Sequence, residues 1–185
     1  MLGYLIWVLI FIYCLNRIIG WWILVFSKRW ERYGTVVVLI TVGVLLCLPF
    51  APQPRLDSYG LLLQISGIAV GVVVFVGGLA IGMRAGQEFD RMGTREDRLP
   101  TKLVTTGIYS RVRHPQYLSL NICYVGWSLV WGAIYCIYLA PLIFFLNWLQ
   151  AFLEEKYILA AKFGDGYRNY RREVGMFLPK RTKKG

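Results

Sequence analysis

Residues 59–83 run YGLLLQISGIAVGVVVFVGGLAIGM, without one charged side chain. An α-helix rises 1.5 Å per residue, so ~20 apolar residues cover the ~30 Å hydrocarbon core of a bilayer. This stretch is long enough to cross a membrane and too apolar to sit in water. Working outward, Leu2 to Phe26 is interrupted only by Asn16 and Arg17 and lacks the basic leader of a signal peptide, so it is expected to be retained as a span. Gly34 to Phe50 is a second run, ended by Pro49, Pro52 and Pro54. Apolar character returns at Tyr117 and continues to Phe152, too long for one span. Gly132 and Pro141 offer breaks, and the expected solution is two helices joined by a tight uncharged turn at Trp131-Gly132-Ala133. The fold class is therefore an all-α integral membrane protein with about five transmembrane helices, the last two forming a helical hairpin.

Composition agrees with this. The 185 residues are 57% hydrophobic and 17% charged, with mean hydropathy +0.51, whereas a soluble domain is about 45–50% apolar and about 25% charged. A soluble globule, a disordered chain and a disulfide-stapled module are excluded. Cys14, Cys47, Cys123 and Cys136 all lie in apolar runs without Cys-x-x-Cys spacing, and His114 is the single histidine, so no metal site is expected.

The net charge of +11 sits almost wholly between the apolar runs. It falls in the hinge Lys28-Arg29-Trp30-Glu31-Arg32, in the segment from Arg84 to Pro115 (with Arg95, Glu96, Asp97 and Arg98 at its centre), and in the tail from Glu154, which ends in Lys180, Arg181, Lys183 and Lys184. The alternate loops are uncharged or, at Arg55 and Asp57, balanced. Basic loops stay on the cytoplasmic side, which places the N-terminus outside and the C-terminus in the cytoplasm. The excess charge is thus an orientation signal and a contact for membrane lipids, and no nucleic-acid partner is expected. The expected division is a three-span bundle over 1–86 and, over 87–185, a C-terminal catalytic region with two spans, a cytoplasmic linker and the basic tail. Gly67-x-x-x-Gly71 and Gly78-x-x-x-Gly82 suit close helix packing, inside the bundle or at a dimer seam, and the intramolecular reading is preferred. Arg17 is the one ionisable group at mid-bilayer depth; with no internal repeat a transporter is not expected, and Arg17 reads as a packed or snorkelling side chain in preference to a functional one.

Chemistry is concentrated in two polar segments beside the last two spans. The first is Thr105-Thr106-Gly107-Ile108-Tyr109-Ser110-Arg111-Val112-Arg113-His114-Pro115-Gln116-Tyr117. Pro115 suits the first position of a helix, which puts Arg113 and His114 at the positive end of a helix dipole, a place for a carboxylate or phosphate. The second contains Glu154-Glu155, Phe163-Gly164 and Tyr167-x-x-Tyr170-Arg171-Arg172. Adjacent acids at the end of an apolar helix require water, a cation or a ligand. On the residues alone, Arg111 and Arg113 serve equally as lipid anchors and the acids as interfacial groups.

The ordered set Gly107-Ile108-Tyr109, Arg113-His114-Pro115-x-Tyr117, Glu154-Glu155, Phe163-Gly164, Tyr167-x-x-Tyr170 and Leu178-Pro179 resembles the isoprenylcysteine carboxyl methyltransferase and phospholipid methyltransferase family over about residues 100–180. The resemblance implies an integral enzyme of a plasma membrane or endoplasmic reticulum that moves a methyl group from S-adenosylmethionine to a lipid-like or prenylated acceptor. Its cofactor would lie in a cytoplasm-facing pocket of the C-terminal half, with the acceptor entering from the bilayer. On this basis Tyr109, Arg113, His114, Pro115, Tyr117 and Glu155 are the expected cofactor-binding residues. Glu154, Arg171 and Arg172 are the expected catalytic ones: Arg171 or Arg172 would orient an acceptor carboxylate or phosphate, and Glu154 or Glu155 would take a proton from an amine acceptor, the two acids being interchangeable at this level as contacts for the cofactor's ribose or amino group. Ser119, where the family usually has glycine, and the charge pattern of Tyr170-Arg171-Arg172-Glu173-Val174 depart from the prenylcysteine enzymes. Membrane sterol and steroid reductases, which use NADPH, are similar around Arg113-His114-Pro115-x-Tyr117 but less so at Glu154-Glu155. A non-enzymatic membrane scaffold is the remaining alternative.

Overall fold

A computed structural model describes residues 4–24, 30–91 and 102–180. Its long regular elements among these residues are all helices, in the order α1 (Leu5–Trp22), α2 (Trp30–Cys47), α3 (Leu61–Arg91), α4 (Pro115–Val130), α5 (Ile134–Glu154) and α6 (Ala160–Glu173). Short 3-10 turns occupy Leu48–Phe50, Leu56–Tyr59 and Gly107–Ser110, and one π-helical turn, Glu155–Leu159, joins α5 to α6. Three helical stretches are long and apolar enough to cross a membrane: Leu5–Trp22, Leu61–Arg91 and Ile134–Glu173, the last made of α5, the π turn and the kinked α6. The apolar helical stretch Val36–Phe50 is shorter. Lys28 and Arg29 of the basic hinge, Arg95, Glu96, Asp97 and Arg98 of the linker, and Arg181, Lys183 and Lys184 of the tail lie outside the described residues.

At 31 residues α3 measures about 46 Å, well beyond the thickness of hydrocarbon. The chain turns polar at Arg84, as the sequence indicates, yet stays helical to Arg91. The division expected at residue 86 therefore falls inside a helix. The glycines of α3 set its packing on α4. A Cβ at Gly71 would lie 2.7 Å from the Val130 nitrogen, one at Gly78 2.9 Å from the Cys123 nitrogen, and one at Gly126 2.5 Å from the Phe75 nitrogen. Any side chain at these positions would force the two backbones apart. Ser119 fits the same seam by donating its hydroxyl to the Gly78 carbonyl at 2.7 Å.

The α4–α5 hairpin turns at Gly132, whose φ of +59° disfavours residues with a Cβ. Pro141 stays within α5 and makes no break. The turn is stitched to the loop after α2: the Leu56 nitrogen donates to the Gly132 carbonyl at 2.9 Å, and Arg55 donates through Nη1 to the Trp131 carbonyl at 2.8 Å and through Nη2 to the Pro49 carbonyl at 3.1 Å. These two loops thus share one end of the bundle. Between the ends, Ile6, Tyr13, Leu45, Leu48, Tyr124, Cys136 and Ile143 form a core drawn from α1, α2, α4 and α5. Asn16 fastens α1 to α2 by donating to the Val37 carbonyl and the Thr41 hydroxyl, both at 2.9 Å. The outer faces of α1 and α3, with Trp7, Phe11, Leu62 and Val73, are exposed and apolar, the surface a lipid-facing helix presents.

At the opposite end, α6 folds back on the segment that precedes α4. Gly164 (φ +53°, ψ −126°) interrupts α6, and Tyr167, Tyr170 and Val174 pack with Leu159, Leu103 and Phe163. The chain after α6 then runs parallel to the segment entering α4: the Arg113 nitrogen donates to the Gly175 carbonyl at 2.9 Å and the His114 nitrogen to the Met176 carbonyl at 3.1 Å.

Candidate active site

Pro115 opens α4, with Arg113 and His114 immediately before it. Both side chains turn toward Glu155, the first residue of the π turn, which is 1% exposed. Arg113 donates through Nε to Glu155 Oε1 at 2.8 Å and through Nη2 to Oε2 at 3.2 Å, a two-pronged pair. The His114 Nε2 lies 3.0 Å from Oε1, and the half-exposed Arg171 brings its Nε to 3.5 Å from Oε2. Arg113 Nη1 bonds in addition to the carbonyls of Arg171 and Val174. One guanidinium thus joins three segments: the approach to α4, the π turn, and the end of α6. Burial by itself pushes the Glu155 carboxyl up, and the hydrogen bonds and charges of His114 and Arg113 more than offset it, holding it at about 2.

Glu154 points elsewhere because adjacent helical residues are about 100° apart. Its Oε2 accepts from the Tyr117 hydroxyl at 3.0 Å, and no donor among the described residues reaches Oε1. Tyr109 is buried at 6% exposure, and its hydroxyl has no well-formed hydrogen bond; Glu154, Gln116 and Glu88 are the polar groups around it. Burial and then the nearby Glu154 carboxylate push that phenol well up. The Tyr109 backbone is fixed from two sides. Its carbonyl accepts from the Tyr170 hydroxyl at 2.7 Å. The preceding turn is held by the bond of the Thr106 hydroxyl to Glu88, with Gly107 (φ +57°) packed so closely on the Glu88 carboxylate that a Cβ would lie 2.6 Å from Oε2.

The expected site residues are therefore brought to one end of the bundle, in unequal situations. Arg113, His114 and Glu155 saturate one another. Glu154, Tyr109 and Tyr117 keep polar atoms available, and Pro115 sets the start of α4. Arg171 touches the buried knot from outside. Arg172 has an exposed side chain, and its carbonyl, like that of Arg171, accepts from the Lys180 ammonium, which caps the end of α6. Sequence reasoning missed the Gly175-Met176-Phe177 strap, whose carbonyls carry the backbone of Arg113 and His114 and whose Phe177 ring packs edge-on to His114 and Phe144. Only the glycine hinted at it: a Cβ at Gly175 would collide with the Leu178 carbonyl. Asn121, Asn147 and Gln150, all buried, also escaped notice because they interrupt apolar runs singly.

The fold and site define a helical membrane protein in which Arg113, His114, Glu154, Glu155 and Arg171 are gathered at one end of the bundle. Residues 66–166, more than half of the chain, match the family profile described as phospholipid methyltransferase, and the chain belongs to that family. It is similar to the protein-S-isoprenylcysteine O-methyltransferase of Schizosaccharomyces pombe, 32% identical over 97 residues that cover 52% of this chain and 41% of that protein. It is also similar to the methanethiol S-methyltransferase of Crocosphaera subtropica, 29% identical over 179 residues that cover 86% of this chain and 65% of that protein. The chain thus spans less than two thirds of the length of either relative. No solved structure matches. The family match takes in the helices that present Arg113, His114, Glu154 and Glu155 and stops before Arg171 and Arg172.

Proposed function

We propose that the protein is an S-adenosylmethionine-dependent membrane methyltransferase acting on a lipid-like acceptor such as a prenylcysteine carboxylate, with its site facing the cytoplasm. In this reading α1 to α5 all cross the bilayer, the N-terminus lies outside, and α6 and the basic tail lie in the cytoplasm against anionic lipid. The observation that carries it is the contrast between the two glutamates. Glu155 is consumed by Arg113 and His114, while Glu154 keeps an unbonded oxygen and its charge is felt by the buried Tyr109 hydroxyl, which has no well-formed hydrogen bond.

A zwitterionic nucleoside needs acceptors for its ammonium and ribose hydroxyls and a cation for its carboxylate. Glu154, Tyr109 and Tyr117 would supply the former and Arg171 the latter, so the residues fit S-adenosylmethionine. When bound, that cofactor supplies a methyl group on sulfonium sulfur; transfer to a carboxylate oxygen forms a C–O bond, breaks the methyl–sulfur bond and leaves a neutral thioether with no proton to place. The chain's own contribution is then positioning and exclusion of water, effects worth several kcal/mol of barrier, about 7–11 at the limit. Arg113, His114 and Glu155 act as positioning residues that lock the α4 entrance to the π turn. Arg172, on the exposed face, is assigned to drawing the anionic acceptor toward the site from the membrane surface.

A thiol acceptor is a second reading, favoured because the methanethiol S-methyltransferase matches nearly the whole chain. Incubating membranes that contain the protein with methyl-labelled S-adenosylmethionine and either N-acetyl-S-farnesylcysteine or methanethiol tests both. Label is expected in the farnesylcysteine ester and lost in Glu154→Gln. Label in dimethyl sulfide alone selects the thiol reading, and label in neither product overturns methyl transfer to these acceptors.

A further inference from the structure

Deeper in the bundle, one helical turn from Glu154, several buried polar groups keep atoms without a well-formed hydrogen bond. Arg17 on α1 is 3% exposed. Its Nη2 reaches only the Leu146 carbonyl at 3.3 Å, its Nε has no acceptor, and no carboxylate pairs with it among the described residues. Gln150 on α5 is fully buried, and neither atom of its amide has a well-formed hydrogen bond. One turn further along the same face, Asn147 donates to Asn121 at 2.8 Å but leaves its own oxygen free. The set is joined to the candidate active site through Tyr117, whose hydroxyl bonds Glu154, comes within loose hydrogen-bonding reach of the Gln150 amide and feels the charge of Arg17.

A buried guanidinium without a counter-ion among the described residues, bonded to the helix turn that precedes a buried amide short of well-formed hydrogen bonds, is costly to maintain in a protein that binds nothing there. It is explained if the missing partner is an anionic ligand. We infer that Arg17 and Gln150 form the binding site for the carboxylate of the methyl acceptor, whose apolar body lies between the helices and in the adjoining lipid. This rests on the methyltransferase reading above and deepens it. A carboxylate accepts from a guanidinium edge and from an amide N–H together, whereas a neutral thiol has no use for the charge. The same geometry gives a reason for product release. Methylation turns the carboxylate into a neutral ester, and the attraction of Arg17 for it is lost.

The test is competition binding in lipid nanodiscs, with labelled N-acetyl-S-farnesylcysteine displaced by the unlabelled acid or by its methyl ester. S-Adenosylhomocysteine binding is measured on the same samples. Wild type is expected to prefer the acid over the ester by about tenfold or more, the worth of a charge-assisted hydrogen bond. Arg17→Gln should abolish that preference, Arg17→Lys should keep part of it, and Gln150→Leu should reduce it, all with S-adenosylhomocysteine affinity unchanged. Wild type that binds S-adenosylhomocysteine but does not prefer the acid, or an Arg17→Gln variant that still prefers it, overturns this inference alone. Absence of S-adenosylhomocysteine binding in wild type overturns the methyltransferase reading and this inference with it.

Discussion

Replacing Glu155 with leucine removes the carboxylate that Arg113 and His114 share in a site only 1% exposed. Deleting one partner of a buried ion pair costs about 3–5 kcal/mol, because the remaining charge is stranded. Arg113 keeps its bonds to the carbonyls of Arg171 and Val174, which places the expected loss at the lower end, about 3 kcal/mol. The Arg171 contact, 3.5 Å long and with the arginine 52% exposed, adds little to this. For a chain of this size a loss of 1 kcal/mol lowers Tm by roughly 2–4 °C, so Glu155→Leu should melt roughly 6–12 °C below wild type. The buried thiol of Cys136 reports unfolding through its reaction with a maleimide dye. Arg113→Met should cost a similar amount, and the double variant should recover most of it, since an apolar pair of like volume replaces a buried ion pair with little penalty. Single losses that simply add in the double variant would refute the claim that these side chains stabilise the fold as a unit.

Four further expectations concern separate parts of the molecule. Because Glu155 is held at about 2 against an ordinary 4.5, its ionised form stabilises the fold fully above pH 4.5 and ceases to do so as pH falls through about 2; the Tm gap between wild type and Glu155→Leu should close over that interval, and a gap constant with pH would count against the assignment. Gly126→Val wedges apart α3 and α4, where the Phe75 nitrogen would stand 2.5 Å from a Cβ, and should lower Tm by more than Gly77→Val, whose Cβ position is open. Gly132→Ala strains the hairpin turn at φ +59° and should destabilise by about 1 kcal/mol, read from the same dye assay. Arg171→Ala should weaken S-adenosylhomocysteine binding, while Arg172→Ala should change acceptor turnover alone; identical effects of the two in paired binding and turnover assays would dissolve the distinction between them.

The architecture was legible where hydropathy alone decides it. The runs that became α1, α2, α3 and the α4–α5 hairpin announce themselves by length, and the uncharged turn at Gly132 follows from a run too long for one span. Pro115 at the head of α4 was legible for a local reason, the missing N–H. The allotment of roles between Glu154 and Glu155 was not, because two adjacent acids on a helix look alike until the segments that face them are known. Nor was the strap at Gly175-Met176-Phe177, which has no periodicity and works through its carbonyls. The burial of Arg17 is in keeping with a packed side chain, but what it packs against, the Leu146 carbonyl of α5, is a tertiary fact. Isolated polar residues inside apolar runs resemble interruptions, and only the fold places Arg17, Gln150 and Tyr117 together.

The central claim, that Glu154 serves a cofactor pocket for S-adenosylmethionine, is tested most directly by calorimetric titration of the detergent-purified protein with S-adenosylhomocysteine and, separately, with NADPH. Saturable heat with S-adenosylhomocysteine alone is expected, with an affinity that falls by about tenfold or more in Glu154→Gln, the worth of a hydrogen bond to a charged group. Binding of NADPH in its place would contradict the account and select a reductase, and binding of neither would leave a membrane protein that carries the family's helices without its cofactor.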